Sequence, residues 1–174
     1  MSDLATSLDL AALAWFAGAI SLFDILLKTP RYRARTIAGA IQAQREQWMR
    51  NMAGRENRLV DTGILQTLSH GNAFFASTSA IAIGGLAALM GSGDTAQGLI
   101  ERIPYVAKSS GALFEIKLVL LATVFIFAFF KFAWAFRLSH YTGIMIGATP
   151  IANGVNAADC EHHAKSTADL IGVA

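Results

Sequence analysis

The chain has 174 residues, of which 54% are hydrophobic and only 15% charged, with a formal net charge of +2 and a mean hydropathy of +0.46. A soluble domain of this size carries about 25% charged residues, which excludes a freely soluble globule; the small net charge excludes nucleic acid as a partner. A single cysteine, Cys160, excludes an internal disulfide, and three prolines without repeats or low-complexity tracts exclude long disordered linkers.

The apolar residues gather in three stretches, which predicts an all-α integral membrane bundle: one membrane domain over 1–174 with three transmembrane helices. The first stretch, residues 8–27, has about the length needed to cross a hydrocarbon core as a helix. Only Asp3 and Asp9 carry charge before or at its start, with no basic n-region, so it reads as an uncleaved anchor. Ala17, Ser21, Asp24 and Lys28 share one stripe of it. That puts Asp24 on the small, polar side, where bundle interiors keep intramembrane carboxylates.

The next segment, about 31–70, reads as helical and cytoplasmic. Its first part, 31–53, begins at Pro30 and places Ala34, Ile37, Ala38, Ile41, Trp48 and Met52 on one stripe, a basic amphipathic helix suited to a membrane surface or to packing across the base of the bundle. Gly54 interrupts it. A second piece follows, in which Arg58 and Asp61 are spaced i,i+3 and can pair on a helix surface.

The second span, 72–90, carries Ala76, Ala80, Gly84 and Ala88 at every fourth position, a small-residue row that lets membrane helices approach closely, with Ser77 and Thr78 able to bond across it. The loop that follows has turn formers at both ends and an apolar centre, Leu99 to Val106, read as a small interfacial helix.

The third span, 112–136, contains a row of Phe125, Phe129, Phe132 and Phe136 expected to face lipid or a neighbouring protein. Lys131 lies on a different face with Val124, Ala128, Ala135 and, near the other end, Lys117. Lys131 is about 9 Å deeper than Arg137, and Asp24 about 5 Å inside the same boundary. Three readings compete for Lys131: snorkelling to headgroups, an ion pair with Asp24, or a transport role. Beyond Arg137, residues 139–154 are too short to cross and read as interfacial; the final stretch is helical in propensity.

Lysine and arginine crowd the segment between the first two spans, at Lys28, Arg31, Arg33, Arg35, Arg45, Arg50, Arg55 and Arg58, whereas Arg102 and Lys108 alone occupy the second connection. By the positive-inside rule the N-terminus is outside, the 28–71 segment is cytoplasmic, and the protein is a multi-pass protein of the cell (inner) membrane.

Nucleophile elbow, Walker A, HExxH and paired CxxC motifs are absent from the sequence, so no catalytic residue and no cofactor are expected. Asp159 and His163, in "DCEHH", are i,i+4 on a helix and are weak metal candidates; a solvated helix face explains them more cheaply. His70 and His140 flank the second and third spans and form a weak candidate pair for haem ligation, the alternative being ordinary interfacial histidines.

Four blocks, "REQWMRNMAGRENRLVDTGIL", "GNAFFASTSAIAIGGL", "FAFFKFAWAFR" and "GIMIGATP", occur in an order that resembles the uncharacterised membrane family called domain of unknown function 599. The resemblance covers nearly the whole chain from about Leu8. It implies a small helical membrane protein and supplies no activity and no catalytic residues. It also implies a fourth span beyond the position matching Ala174.

Two main functions follow as expectations. The first is a non-catalytic subunit, embedded in the lipid bilayer, that self-associates as a homo-oligomer or docks on other membrane-protein subunits. The second is a small oligomeric transporter or channel module using Asp24 and Lys131, with Lys117 as a further candidate and Ser77 and Thr78 lining the path. A haem- or metal-binding redox protein is the distant alternative.

Overall fold

The computed structural model describes residues 7–29, 32, 36–102, 104, 110–151 and 156–173. Six helices make up the described chain: α1 (Ser7–Lys28), α2 (Ile37–Ala53), α3 (Leu59–Gly91), α4 (Asp94–Ile100), α5 (Gly111–Ala148) and α6 (Ala157–Val173). Three of them, α1, α3 and α5, are long and apolar enough to cross a membrane. The protein is thus an all-helical protein with three candidate transmembrane helices.

Two of those helices run further than the hydropathy suggests. α3 joins the predicted piece before the second span to the span itself, 33 residues without a break. α5 continues for 38 residues, straight through the stretch read as a separate interfacial piece. At 1.5 Å per residue these are about 50 and 57 Å long, against a hydrocarbon core of about 30 Å. Neither sequence has a proline inside the helix to stop it.

The chain divides into two compact units, one made of residues 1–25 and 76–130, the other of 26–75 and 131–174. In the first, α1 lies against the beginning of α5: Asp9, Leu10, Ala12, Leu13 and Phe16 face Leu113, Ile116, Lys117 and Leu120 across an apolar groove. Not one residue of the apolar window of α1 is buried. In a bilayer this costs little, because lipid tails are as apolar as the side chains they meet. The short α4 follows Gly93, whose φ of 52° is a left-handed conformation that favours glycine. It occupies 94–100, earlier than the predicted apolar centre, and residues 105–109 lie outside the described residues.

The second unit holds a core built from four helices. Met49 and Met52 of α2, Leu65 of α3, Ile146 of α5, and Ala164, Ala168 and Ile171 of α6 pack together, with Trp48 against them. The α2–α6 pair is laced along its edges by Gln42 to Asp169 (3.1 Å) and Arg50 to Glu161 (2.9 Å). The two helices approach closely enough at Gly172 that a Cβ there would lie 2.6 Å from Gln42 Oε1.

Several predicted faces are corrected by this packing. The buried side of α2 is Met49, Met52 and Ala53, with Gln42, Arg45 and Trp48 half-buried, while Ile37 and Ile41 of the predicted stripe are exposed. Ala34 and Pro30 of that prediction lie outside the described residues. The reason is that α6 covers α2 along the line through Met49 and Met52, so Ile37 and Ile41 fall off its edge.

In α3 the inward positions are Asp61, Leu65, Ser69, Asn72, Ala76, Ser79, Ile83 and Leu86, spaced mostly by alternating fours and threes. The small-residue row coincides with that face only at Ala76; Ala80, Gly84 and Ala88 are exposed. A row of every fourth residue advances about 40° per step around a helix of 3.6 residues per turn, so it leaves any straight contact line. On α5 the phenylalanine row is half-buried, and Phe132 stacks on Phe75 with centroids 5.2 Å apart. The side chains that are open instead are Phe127, Phe130 and Trp134.

Ile146, only 1% exposed, sits in the four-helix core. Ile146→Ala is expected to lower the unfolding free energy of the detergent-solubilised protein by about 2–5 kcal/mol, read as a fall in the midpoint of denaturant unfolding.

Candidate functional site

The densest polar chemistry of the described chain is in the second unit, and most of it comes from residues 45–61. The connection between α2 and α3 is short. Ala53 ends α2, Arg55 N donates to Met52 O (3.0 Å), and Asn57 Oδ1 accepts Leu59 N–H (3.0 Å), an Asx turn that starts α3. Asp61 then falls in the first turn of α3, where a carboxylate suits the helix dipole.

Asp61 is fully buried. Its Oδ1 accepts Trp48 Nε1–H at 2.7 Å and Arg55 Nη1–H at 2.6 Å, while Oδ2 has no hydrogen-bond partner among the described residues. A buried carboxylate is costly unless its charge is matched. Trp48 and Arg55 therefore clamp the end of α2 to the start of α3. The cationic partner of Asp61 is Arg55 and not Arg58, as the i,i+3 spacing had suggested.

Arg58 points elsewhere because an unpaired helix end lies within its reach. It donates to the carbonyls of Ile146 (2.8 Å), Thr149 (2.5 Å) and Pro150 (3.3 Å), at the C-terminus of α5. The last four carbonyls of a helix have no partner within it, and a guanidinium there also meets the negative end of the dipole. Thr149 Oγ1 and His163 Nε2 both reach Met145 O, at 2.8 and 3.1 Å. His163 thus carries its proton on Nε2 and joins Arg58 in closing the end of α5. Asp159, its proposed metal partner, is exposed, and no group of three or more potential metal ligands occurs among the described residues.

The buried hydroxyls of Ser139, Thr142 and Thr167 each donate to the carbonyl four residues earlier in their own helix. Side chains held this way are occupied locally, and among the described residues none of the three is paired with a base.

His70 and His140 line one groove of about 480 Å³ together with Thr62, Gln66, Ser69 and Ser139. Both are exposed; His140 Nδ1 lies 3.0 Å from Phe136 O, and its ring packs edge-on against Phe136. A smaller cavity of about 220 Å³ lies among four helices and is lined by Arg45, Leu65, Leu68, Asn72, Ser139, Thr142 and Ile171. Burial pushes the Arg45 guanidinium below its ordinary pKa.

The remaining candidates do not belong to this cluster. Asp24 is exposed on α1 and Lys131 is exposed on α5, one in each unit. Lys117 Nζ forms an ion pair with Asp9 Oδ1 at 2.9 Å, tying α5 to α1 within the first unit. The sequence reading missed Trp48, Arg55 and Arg45. Trp48 followed by Arg50, Arg55, Arg58 and Asp61 within one short stretch was the available signal.

The profile of one protein family, described as "Protein of unknown function, DUF599", matches residues 9–174. No curated protein and no solved structure matches the chain.

Two outcomes test this network. Arg55→Met leaves the Asp61 charge buried without a cation and is expected to cost about 3 kcal/mol or more, whereas Arg55→Met combined with Asp61→Asn recovers part of that loss in a double-mutant cycle read by thermal unfolding. Arg58→Ala leaves three carbonyls without their donor and is expected to cost about 1–3 kcal/mol, with hydrogen exchange accelerated at the end of α5 and not in α1.

Proposed function

The chain belongs to the DUF599 family, and we propose that it is a non-catalytic membrane subunit that self-associates, or docks on a larger membrane complex, through its transmembrane helices. The observation that carries this reading is the exposed row Ala80, Gly84 and Ala88 on α3. A Cβ built on Gly84 or Gly85 meets nothing within 4 Å, so packing within the chain gives no reason for glycine there. Small residues that the chain leaves open suit the close approach of another helix, and in lipid such contacts are held by dispersion and weak hydrogen bonds.

The polar groups of the second unit fit the same reading. Asp61, Arg55, Arg58 and His163 hold helix to helix, and the buried hydroxyls of Ser139, Thr142 and Thr167 are bonded within their own helices. The basic residues of the 28–71 segment support placing that segment on the cytoplasmic side of the inner membrane with the N-terminus outside.

The test is the mass of the native complex in a mild detergent, before and after Gly84→Leu. Because the site is open, the substitution is expected to leave the unfolding midpoint within about 0.5 kcal/mol of wild type while the complex falls apart to a smaller species. A complex of unchanged mass sinks the reading.

A further inference from the structure

Arg45 stands apart from the cations around it. Arg50 is paired with Glu46 and Glu161, Arg55 with Asp61, and Arg58 with three carbonyls. Arg45 is half-buried and has no ion pair or hydrogen bond among the described residues. The carboxylate that α6 carries at this end, Asp169, is taken by Gln42 Nε2 instead. A guanidinium partly removed from water and given no counter-charge is costly unless something outside the chain supplies one.

What lies beside it is a cavity with a suitable lining. Four helices contribute, and no carboxylate is among its residues. Asn72 lines the same cavity, also half-buried and also without a hydrogen-bond partner among the described residues. The protons of Ser139 and Thr142 are already donated to their own helix. The unoccupied donors are therefore the Arg45 fork and the Asn72 amide, with Leu65, Leu68 and Ile171 forming apolar walls. Its volume of about 220 Å³ far exceeds the roughly 10–15 Å³ that a single water needs. An arginine fork with an amide beside it is matched in geometry and charge to the oxygens of a phosphate.

The location narrows the source of such an anion. Asn72 begins the most apolar part of α3, and Ser139 and Thr142 follow the most apolar part of α5. On the span boundaries read from the sequence, a bilayer would change from hydrocarbon to headgroup at those positions, and a basic pocket between membrane helices there fits an anionic lipid headgroup.

We propose that the cavity lined by Arg45, Asn72, Ser139 and Thr142 is a phosphate-binding site, occupied either by the headgroup phosphate of an anionic lipid or by a soluble phosphate. It is independent of the self-association reading: a monomer binds equally well.

The experiment uses the full chain, delipidated in a neutral detergent, and follows the thermal-unfolding midpoint against three probes: short-chain phosphatidylglycerol, short-chain diacylglycerol and inorganic phosphate. A saturable rise with phosphatidylglycerol and none with diacylglycerol is expected. Arg45→Gln is expected to weaken it roughly tenfold or more, as loss of a charge-assisted hydrogen bond requires. Lys165→Gln, the same loss of charge at an exposed position on α6, leaves it unchanged. An equal, Arg45-dependent rise with inorganic phosphate identifies a soluble anion as the occupant and also supports the site. If Arg45→Gln does not fold, Asn72→Asp puts a negative charge against the phosphate and is expected to weaken binding as strongly. No saturable rise with either phosphate, or equal rises in wild type, Arg45→Gln and Asn72→Asp, overturns the proposal, as does an equal loss in Lys165→Gln.

Discussion

The second unit depends on one buried charge. Asp61 has no exposed surface, and a carboxylate in that position cannot draw on water for its solvation. Its partners must come from the protein, and Trp48 and Arg55 supply them from the two sides of the α2–α3 connection. The same stretch then sends Arg58 to the end of α5. A segment running from Trp48 to Asp61 thereby fixes the end of α2, the start of α3 and the end of α5 relative to one another. Met49 and Met52, on the same stretch, bring in α6 through the core. The network satisfies only one of the two carboxylate oxygens, since Asp61 Oδ2 has no hydrogen-bond partner among the described residues.

The two halves of the chain use different physics. Within the first unit apolar side chains are largely exposed, and the contact between α1 and α5 is an apolar groove with the Lys117–Asp9 ion pair at its edge. Lipid gives little hydrophobic reason to bury that surface further. Within the second unit the helices are shorter or extend beyond the length of a hydrocarbon core, and they form a packed core with caps on helix ends. Ordered polar chemistry is concentrated where helix ends and carbonyls have to be satisfied.

Two features remain that internal packing does not use. One is the small-residue row on α3, where a Cβ built on Gly84 would meet nothing within 4 Å among the described residues. The other is the donor pair of Arg45 and Asn72 facing a cavity. On the readings proposed above, the first would meet another helix and the second an anion.

The sequence by itself determined the class, the three apolar spans and the helical character of the segments between and after them, because hydropathy, length and the distribution of arginine are one-dimensional properties. The blocks carrying the family resemblance could be read in the same way, and two of them meet in space where Arg58 reaches Ile146, Thr149 and Pro150. That meeting was not legible, since residues separated by about ninety positions are brought together only when α3 and α5 pack. The choice of Arg55 over Arg58 for Asp61 was likewise decided by the turn at Gly54, which carries Arg55 back toward the start of α3, and by the competing carbonyls of α5. Helix periodicity indicated faces, but which face is buried depends on the neighbour: α6 selected Met49 and Met52 over Ile37 and Ile41. That Arg45 has no ion pair or hydrogen bond among the described residues belongs to tertiary structure, because no local pattern encodes which partners the packed helices bring within its reach.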